Sequence, residues 1–135
     1  MQHVNLTLPG TYALVLFNSS AAALHIGALG TVDFSRRYYV YIGSAFGPGG
    51  LKGRLRHHAS PVKHPRWHVD YLRPQMTLTG AWCLLSEQKK KHYWNRLWSD
   101  LPGATIPSTG FGTLDCTCKA HLFHFKIIPP KNELN

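Results

Sequence analysis

The stretch YYVYIGSAFGPGGLKGRLRHH, residues 38–58, decides how this chain is read. Tyr, Val and Ile suit a pleated, packed surface, so RRYYVYIGSA (36–45) predicts a strand. Alternation puts Tyr39, Tyr41 and Gly43 on one face, with Tyr38, Val40 and Ile42 on the other. The run GPGG (47–50) breaks the strand. Beyond it, Leu51 and Leu55 stand four apart and predict a short helix. Gly53 weakens that helix by about 1 kcal/mol relative to Ala. On such a helix Arg54 and His58 share a face. A structural strand needs no ending of this kind. A glycine-rich turn leading into arginines and adjacent histidines points to phosphate chemistry.

Outward from this stretch, GTYALVLFNSS (10–20) is apolar enough for a strand buried on both faces. LHIGALGTVDF (24–34) predicts a second strand with turns, and MTLTGAWCLL (76–85) another strand. RWHVDYLRP (66–74) reads as helical until Pro74 stops it. SEQKKKHYWNRLWSDLPG (86–103) reads as a helix capped by Ser86, with apolar Trp94, Leu97 and Trp98 and Gly103 past its end. FGTLDCTCKAHLFHFKII (111–128) predicts a last strand region, and the tail 129–135 is expected to be loose. The elements predict one α+β domain over 1–135, with its core over 8–128.

The charge is lopsided. Fifteen Lys and Arg face six acids, for a net charge of +9. From Phe34 to Val69 there is no acid, yet Arg36, Arg37, Lys52, Arg54, Arg56, Lys63 and Arg66 all fall there, with His57, His58, His64 and His68. Cations gathered in one segment are the footprint of a nucleic-acid binder, whereas a merely solubilising surface mixes both signs. DNA is the expected partner, with RNA second. No apolar run reaches the roughly 18 residues of a membrane span. The N-terminus has no basic stretch of a signal peptide, so a cytoplasmic protein is expected. Three cysteines, Cys83, Cys116 and Cys118, cannot complete a disulfide framework and are expected to be reduced.

Gly10-Thr11-Tyr12 and Tyr41-Ile42-Gly43, followed by a helix bearing Arg54 and His58, resemble the GIY-YIG nuclease superfamily. More closely, the blocks YVYIGSAFGPGGL, WHVDYL and FGTLDCTCKAHLF resemble a GIY-YIG-like family sometimes fused to endonuclease III. The resemblance implies a small central antiparallel sheet flanked by helices. It also implies hydrolysis of DNA phosphodiesters with one Mg²⁺ or Mn²⁺ held by a glutamate.

Such hydrolysis needs a nucleophilic water, a cation against the growing phosphoryl charge and help for the leaving oxygen. Arg54 can grip two phosphate oxygens at once. His58 titrates near neutrality and could accept a proton. The resemblance places Tyr12 and Tyr41 beside the scissile phosphate, positioning water. The metal is harder to place. The glutamate–cysteine pair of the related family aligns with Lys91-His92, and an ammonium repels a metal ion. Positions 87, 91, 94 and 98 would form one helical stripe, which puts Glu87 about 6 Å along the axis from that place and makes it the candidate ligand. In the alternative, Lys91 contacts phosphate itself, giving a DNA-binding domain with no metal-dependent cleavage. A DNA-repair-associated interaction module is a third reading, resting on the fusions alone. Cys116, Cys118 and His121 are ligand types that zinc favours. Their spacing is not that of a finger or ribbon, and a buried edge with polar contacts is expected instead. Asp70 and Asp115, the other acids inside the matching blocks, are expected to hold hydrogen bonds rather than a metal.

Overall fold

A computed structural model describes residues 6–61, 64–113 and 118–127. Strand β1 (Gly10–Phe17) is apolar along its length because it has neighbours on both edges and cover on both faces; all but its last residue are buried. It pairs antiparallel with β4 (Tyr38–Ala45) on one side and with β5 (Thr77–Leu85) on the other. Strand β6 (Leu122–Phe125) extends the sheet beyond β4, giving the order β5-β1-β4-β6. Strands β2 (Ala22–His25) and β3 (Thr31–Phe34) form a separate hairpin.

The period-two alternation holds. Tyr12, Leu14 and Leu16 stand opposite Gly43, Tyr41 and Tyr39 in the β1–β4 ladder. These residues share one apolar cluster with Leu51 and Leu55 of helix α1 (Gly50–Ala59). Ala13, Val15, Val40 and Ile42 face the other way, against Phe123, Phe125 and the Trp94 and Trp98 of helix α2 (Lys91–Ser99). The molecule is thus α+β, a small antiparallel sheet with a helix on each face, as expected. Among the described residues no helix is long and apolar enough to cross a membrane.

Two glycines fix the geometry around the turn. A Cβ on Gly43 would lie 2.4 Å from both Cζ and the hydroxyl of Tyr12, so only glycine lets that ring lie across β4. Gly50 has φ +59°, and a Cβ there would meet the Thr7 carbonyl at 2.3 Å. The 6–8 segment therefore closes directly over the start of α1, where Leu51 N–H donates to the Leu8 carbonyl at 3.1 Å. A backbone carbonyl does the work of a capping side chain.

Three expectations are corrected. The helix expected from Ser86 starts only at Lys91. Ser86 N–H donates to the Pro9 carbonyl at 3.1 Å, prolonging the β1–β5 ladder, and its hydroxyl accepts from Gln88 N–H. Residues 66–74 form only a short 3-10 turn, His68–Tyr71, because the Asp70 carboxylate takes the Arg66 and Trp67 N–H groups into a local turn. Among the described residues, the last strand region contracts to the four residues of β6. The tail 129–135 lies outside the described residues, as do Lys63, Asp115 and Cys116.

Candidate functional site

Where β4 runs into the glycine turn, the sheet opens into a cleft of about 440 Å³. Tyr41, Gly43 and Ser44 form its floor, Arg54 comes from α1 and Lys91 from the first turn of α2. Arg66, Trp67 and His68 supply a further wall. No carboxylate lines it among the described residues. Three permanent cations around one concavity set a positive potential that favours anions.

Trp67 organises two of those cations. The Arg54 guanidinium carbon lies 4.1 Å from its ring centroid and that of Arg66 4.8 Å, both within cation–π range. Trp67 is itself held by Asp70, whose Oδ2 accepts from Trp67 N–H at 3.1 Å and Arg66 N–H at 2.9 Å. The same carboxylate accepts from His57 Nε2–H, at 3.1 Å to each oxygen. Asp70 therefore pins the 66–67 wall onto α1. Burial alone would raise its pKa. The nearby His58 ring, together with hydrogen bonds from the Arg66 backbone, His57 and the Trp67 backbone, outweighs that and holds the carboxyl well below the usual range.

Beneath the cleft runs a buried polar chain. The Tyr12 hydroxyl lies 2.8 Å from His58 Nε2, and His58 Nδ1 lies 3.7 Å from Asp70 Oδ1. That last distance is an ionic contact too long for a hydrogen bond, and Nδ1 has no hydrogen-bond partner. A carboxylate only accepts, so the imidazole proton belongs on Nδ1, and Nε2 accepts from the phenol. Burial lowers the His58 pKa despite Asp70 beside it, which keeps the ring neutral. Burial also pushes Tyr12 up to about 12, although the nearby Arg54 pulls it down. His68 is tuned separately. Gly112 N–H donates to its Nδ1 at 2.7 Å, leaving the proton on Nε2, and burial lowers its pKa.

The residues singled out in the sequence are thus divided. Tyr41, Arg54 and Arg66 line the cleft. Tyr12 and His58 are fully buried beneath it and do not line it. Glu87 is exposed on the stretch before α2, off the helical stripe expected for it, and does not line the cleft. Lys52 and Arg56 are exposed on α1. Arg36 and Arg37 stand at the opposite end of β4, where Arg36 covers the Phe17 ring and Arg37 bonds Ser35. At about 3.3 Å per residue, six strand residues place Arg37 some 20 Å from Gly43. The described cations from Arg36 to Arg66 are therefore spread along the molecule, and of them Arg54 and Arg66 line the cleft. Cys118 and His121 come together, with His92 as their third neighbour. Asp70 holds hydrogen bonds, as expected for it. Trp67 and His68 had no site role of their own beyond their place in the block WHVDYL, and His57 none beyond the basic window.

Comparison with known proteins corrects the resemblance drawn from the sequence. The family whose model matches is described as a domain of unknown function, DUF123, a family distinct from GIY-YIG, and no GIY-YIG relative or structure supports the earlier likeness. No curated protein and no solved structure matches the chain. The match covers residues 11–134, nearly the whole chain, and the protein belongs to the DUF123 family.

Proposed function

We propose that this protein binds the phosphodiester backbone of nucleic acid, DNA before RNA, in the cleft between α1, α2 and the 66–68 wall. One observation carries the reading: Arg54, Arg66 and Lys91 converge on a single concavity that no described carboxylate lines. Arg54 and Arg66 offer planar donor forks matched to phosphate oxygens, and Lys91 adds a point charge. The tryptophan stack and the Asp70 clamp hold the guanidinium groups in place before a ligand arrives, which lowers the entropic cost of binding.

The test is fluorescence anisotropy with labelled duplex and single-stranded DNA across a salt series. Each neutralised phosphate contributes about 0.9 to the slope of log affinity against log salt on duplex DNA. Arg54→Ala and Lys91→Ala should each weaken binding and flatten that slope by about 1. Affinity indifferent to salt, or unchanged in both variants, would sink the proposal.

A second reading, hydrolysis of the bound phosphodiester, is favoured by the buried chain Tyr12–His58–Asp70 beneath Arg54. Arg54 would meet the phosphoryl charge, Tyr41 would orient water, and the neutral His58 would take up a proton passed through Tyr12. The Mg²⁺ or Mn²⁺ expected from the sequence does not fit the described donors, since a hard cation wants carboxylate oxygen and Glu87 lies elsewhere. No step is assigned to a metal. Supercoiled plasmid, with and without Mg²⁺ or Mn²⁺, is the substrate for this reading. Nicking at equal rates by wild type, Tyr12→Phe and His58→Gln would dismiss it.

A further inference from the structure

A second cluster lies beside the start of α2 and the segment entering β6, none of its residues lining the cleft. His92, Cys118 and His121 each offer one ligand atom, and those atoms lie within 4.8 Å of one another. We propose that these three residues bind a transition-metal ion, zinc by their chemistry, and that the ion fastens the first turn of α2 to the segment entering β6.

The donor set selects the metal. Two imidazoles and a thiolate are borderline-soft ligands that suit Zn²⁺, whereas Mg²⁺ and Ca²⁺ take oxygen. The spacing is close to what zinc needs. Zn–S and Zn–N bonds of about 2.3 and 2.0 Å at tetrahedral angles set ligand atoms about 3.3–3.6 Å apart. His92 Nδ1 already stands 3.2 Å from Cys118 Sγ. Rotamer adjustments of about 1 Å would bring the third atom in.

The surroundings prepare His121 for this role. Asn95 Nδ2 donates to the Ala120 carbonyl at 2.9 Å, which fixes the orientation of the amide. Its Oδ1 is then left facing His121 Nδ1 at 2.7 Å. An amide oxygen only accepts, so the proton of His121 is on Nδ1, and Nε2 carries the lone pair a metal requires. A metal-ligating histidine usually donates its other N–H to just such an acceptor. Asn95 and His121 are both buried, so this tautomer is built into the fold.

The start of α2 has a use for such a fastening. Lys90 occupies its N-cap position without a capping hydrogen bond, and its first turn has no acidic residue. A helix start with only basic side chains around it frays unless something else holds it. An ion bound by His92 in that first turn and by Cys118 and His121 would hold it through coordination bonds instead. Three protein ligands leave the fourth zinc position to water. The other group of possible ligands, His57, His58 and Asp70, is already committed to hydrogen bonds with Tyr12, Arg66 and Trp67.

The experiment uses the full chain, stripped with a chelator and reloaded with Zn²⁺ or Co²⁺. Metal content is read by mass spectrometry and the thiolate–cobalt charge-transfer band by absorbance. Wild type should retain one ion per chain through gel filtration. His92→Ala, at an exposed position, and Cys118→Ser should lose it, and Cys118→Ser should also lose the band. Cys83→Ser, on β5, and Asp70→Asn should retain both. Far-UV circular dichroism of the apo proteins separates loss of a ligand from loss of the fold. Wild type without stoichiometric metal, or His92→Ala and Cys118→Ser that hold it as well as wild type, would overturn the site. Loss in Asp70→Asn alone would overturn it too, by moving the metal to the other cluster.

Discussion

Gly43→Ala inserts a single methyl group where the sheet and the candidate site meet. The new Cβ would lie 2.4 Å from Cζ and the hydroxyl of Tyr12, about 1 Å short of ordinary contact. Neither side yields easily. Tyr12 is fully buried in a strand paired on both edges, and Gly43 is its direct partner across the ladder. The ring must swing, and its hydroxyl then leaves His58 Nε2, now 2.8 Å away. Overpacking of this kind costs about 1–3 kcal/mol. Leaving a buried imidazole nitrogen without its donor costs about 1–3 kcal/mol more. Urea denaturation should therefore show Gly43→Ala destabilised by about 2–6 kcal/mol, as a lower midpoint with an unchanged slope. Tyr12→Phe removes the hydroxyl that both terms involve. In the double variant the two substitutions should fall short of additivity by more than about 0.5 kcal/mol. A Gly43→Ala protein within about 0.5 kcal/mol of wild type, or strict additivity with Tyr12→Phe, would refute this account of the glycine.

Acid should expose the Asp70 clamp. Its folded pKa is depressed, so its contribution is complete above the unfolded value of about 3.9 and drains away as pH falls below it. The stability gap between wild type and Asp70→Asn, followed by urea midpoints, should be full at pH 6 and shrink towards pH 2. His58 acts at higher pH. Its folded pKa is also lowered, so stability is lost as pH drops below about 6.5, where the unfolded chain takes up a proton that the folded chain refuses. His58→Gln should flatten the pH profile between about 6.5 and 5. Trp98→Ala empties the centre of the α2-side cluster and should cost about 3–5 kcal/mol by the same assay.

The sequence made most of the framework legible because its strands carry unmixed signals. Alternation in RRYYVYIGSA correctly divided β4 between two cores, and the apolar run of β1 marked a strand with cover on both sides. Helix α1 was legible from Leu51 and Leu55 despite Gly53. The start of α2 was not, because Ser86 looks like a cap in sequence while its N–H is claimed by Pro9 from a distant strand. That same tertiary bond took Glu87 off the helix and with it the expected metal ligand. Arg54 was found from its place after the glycine turn. Asp70 was legible as a hydrogen-bonding acid but its partners were not, since they are gathered from α1 and the 66–67 wall and no local pattern encodes them. The basic window shows the limit of sequence proximity: its residues lie close in sequence, but eight-residue β4 sets Arg36 and Arg37 at the far end of the strand from the cleft.

The cleft draws Tyr41 from the sheet, Arg54 from α1, Arg66 from the turn that Asp70 closes and Lys91 from α2. An unfolded chain cannot bring these four together, so an anion held by them binds only the native state. Occupancy and folding are then linked: a ligand at a hundred times its dissociation constant adds about 2.7 kcal/mol to stability. For a domain this size that amounts to about 10 °C in melting temperature. The thermal midpoint of the protein becomes a gauge of what fills its cleft, usable before any reaction product is known.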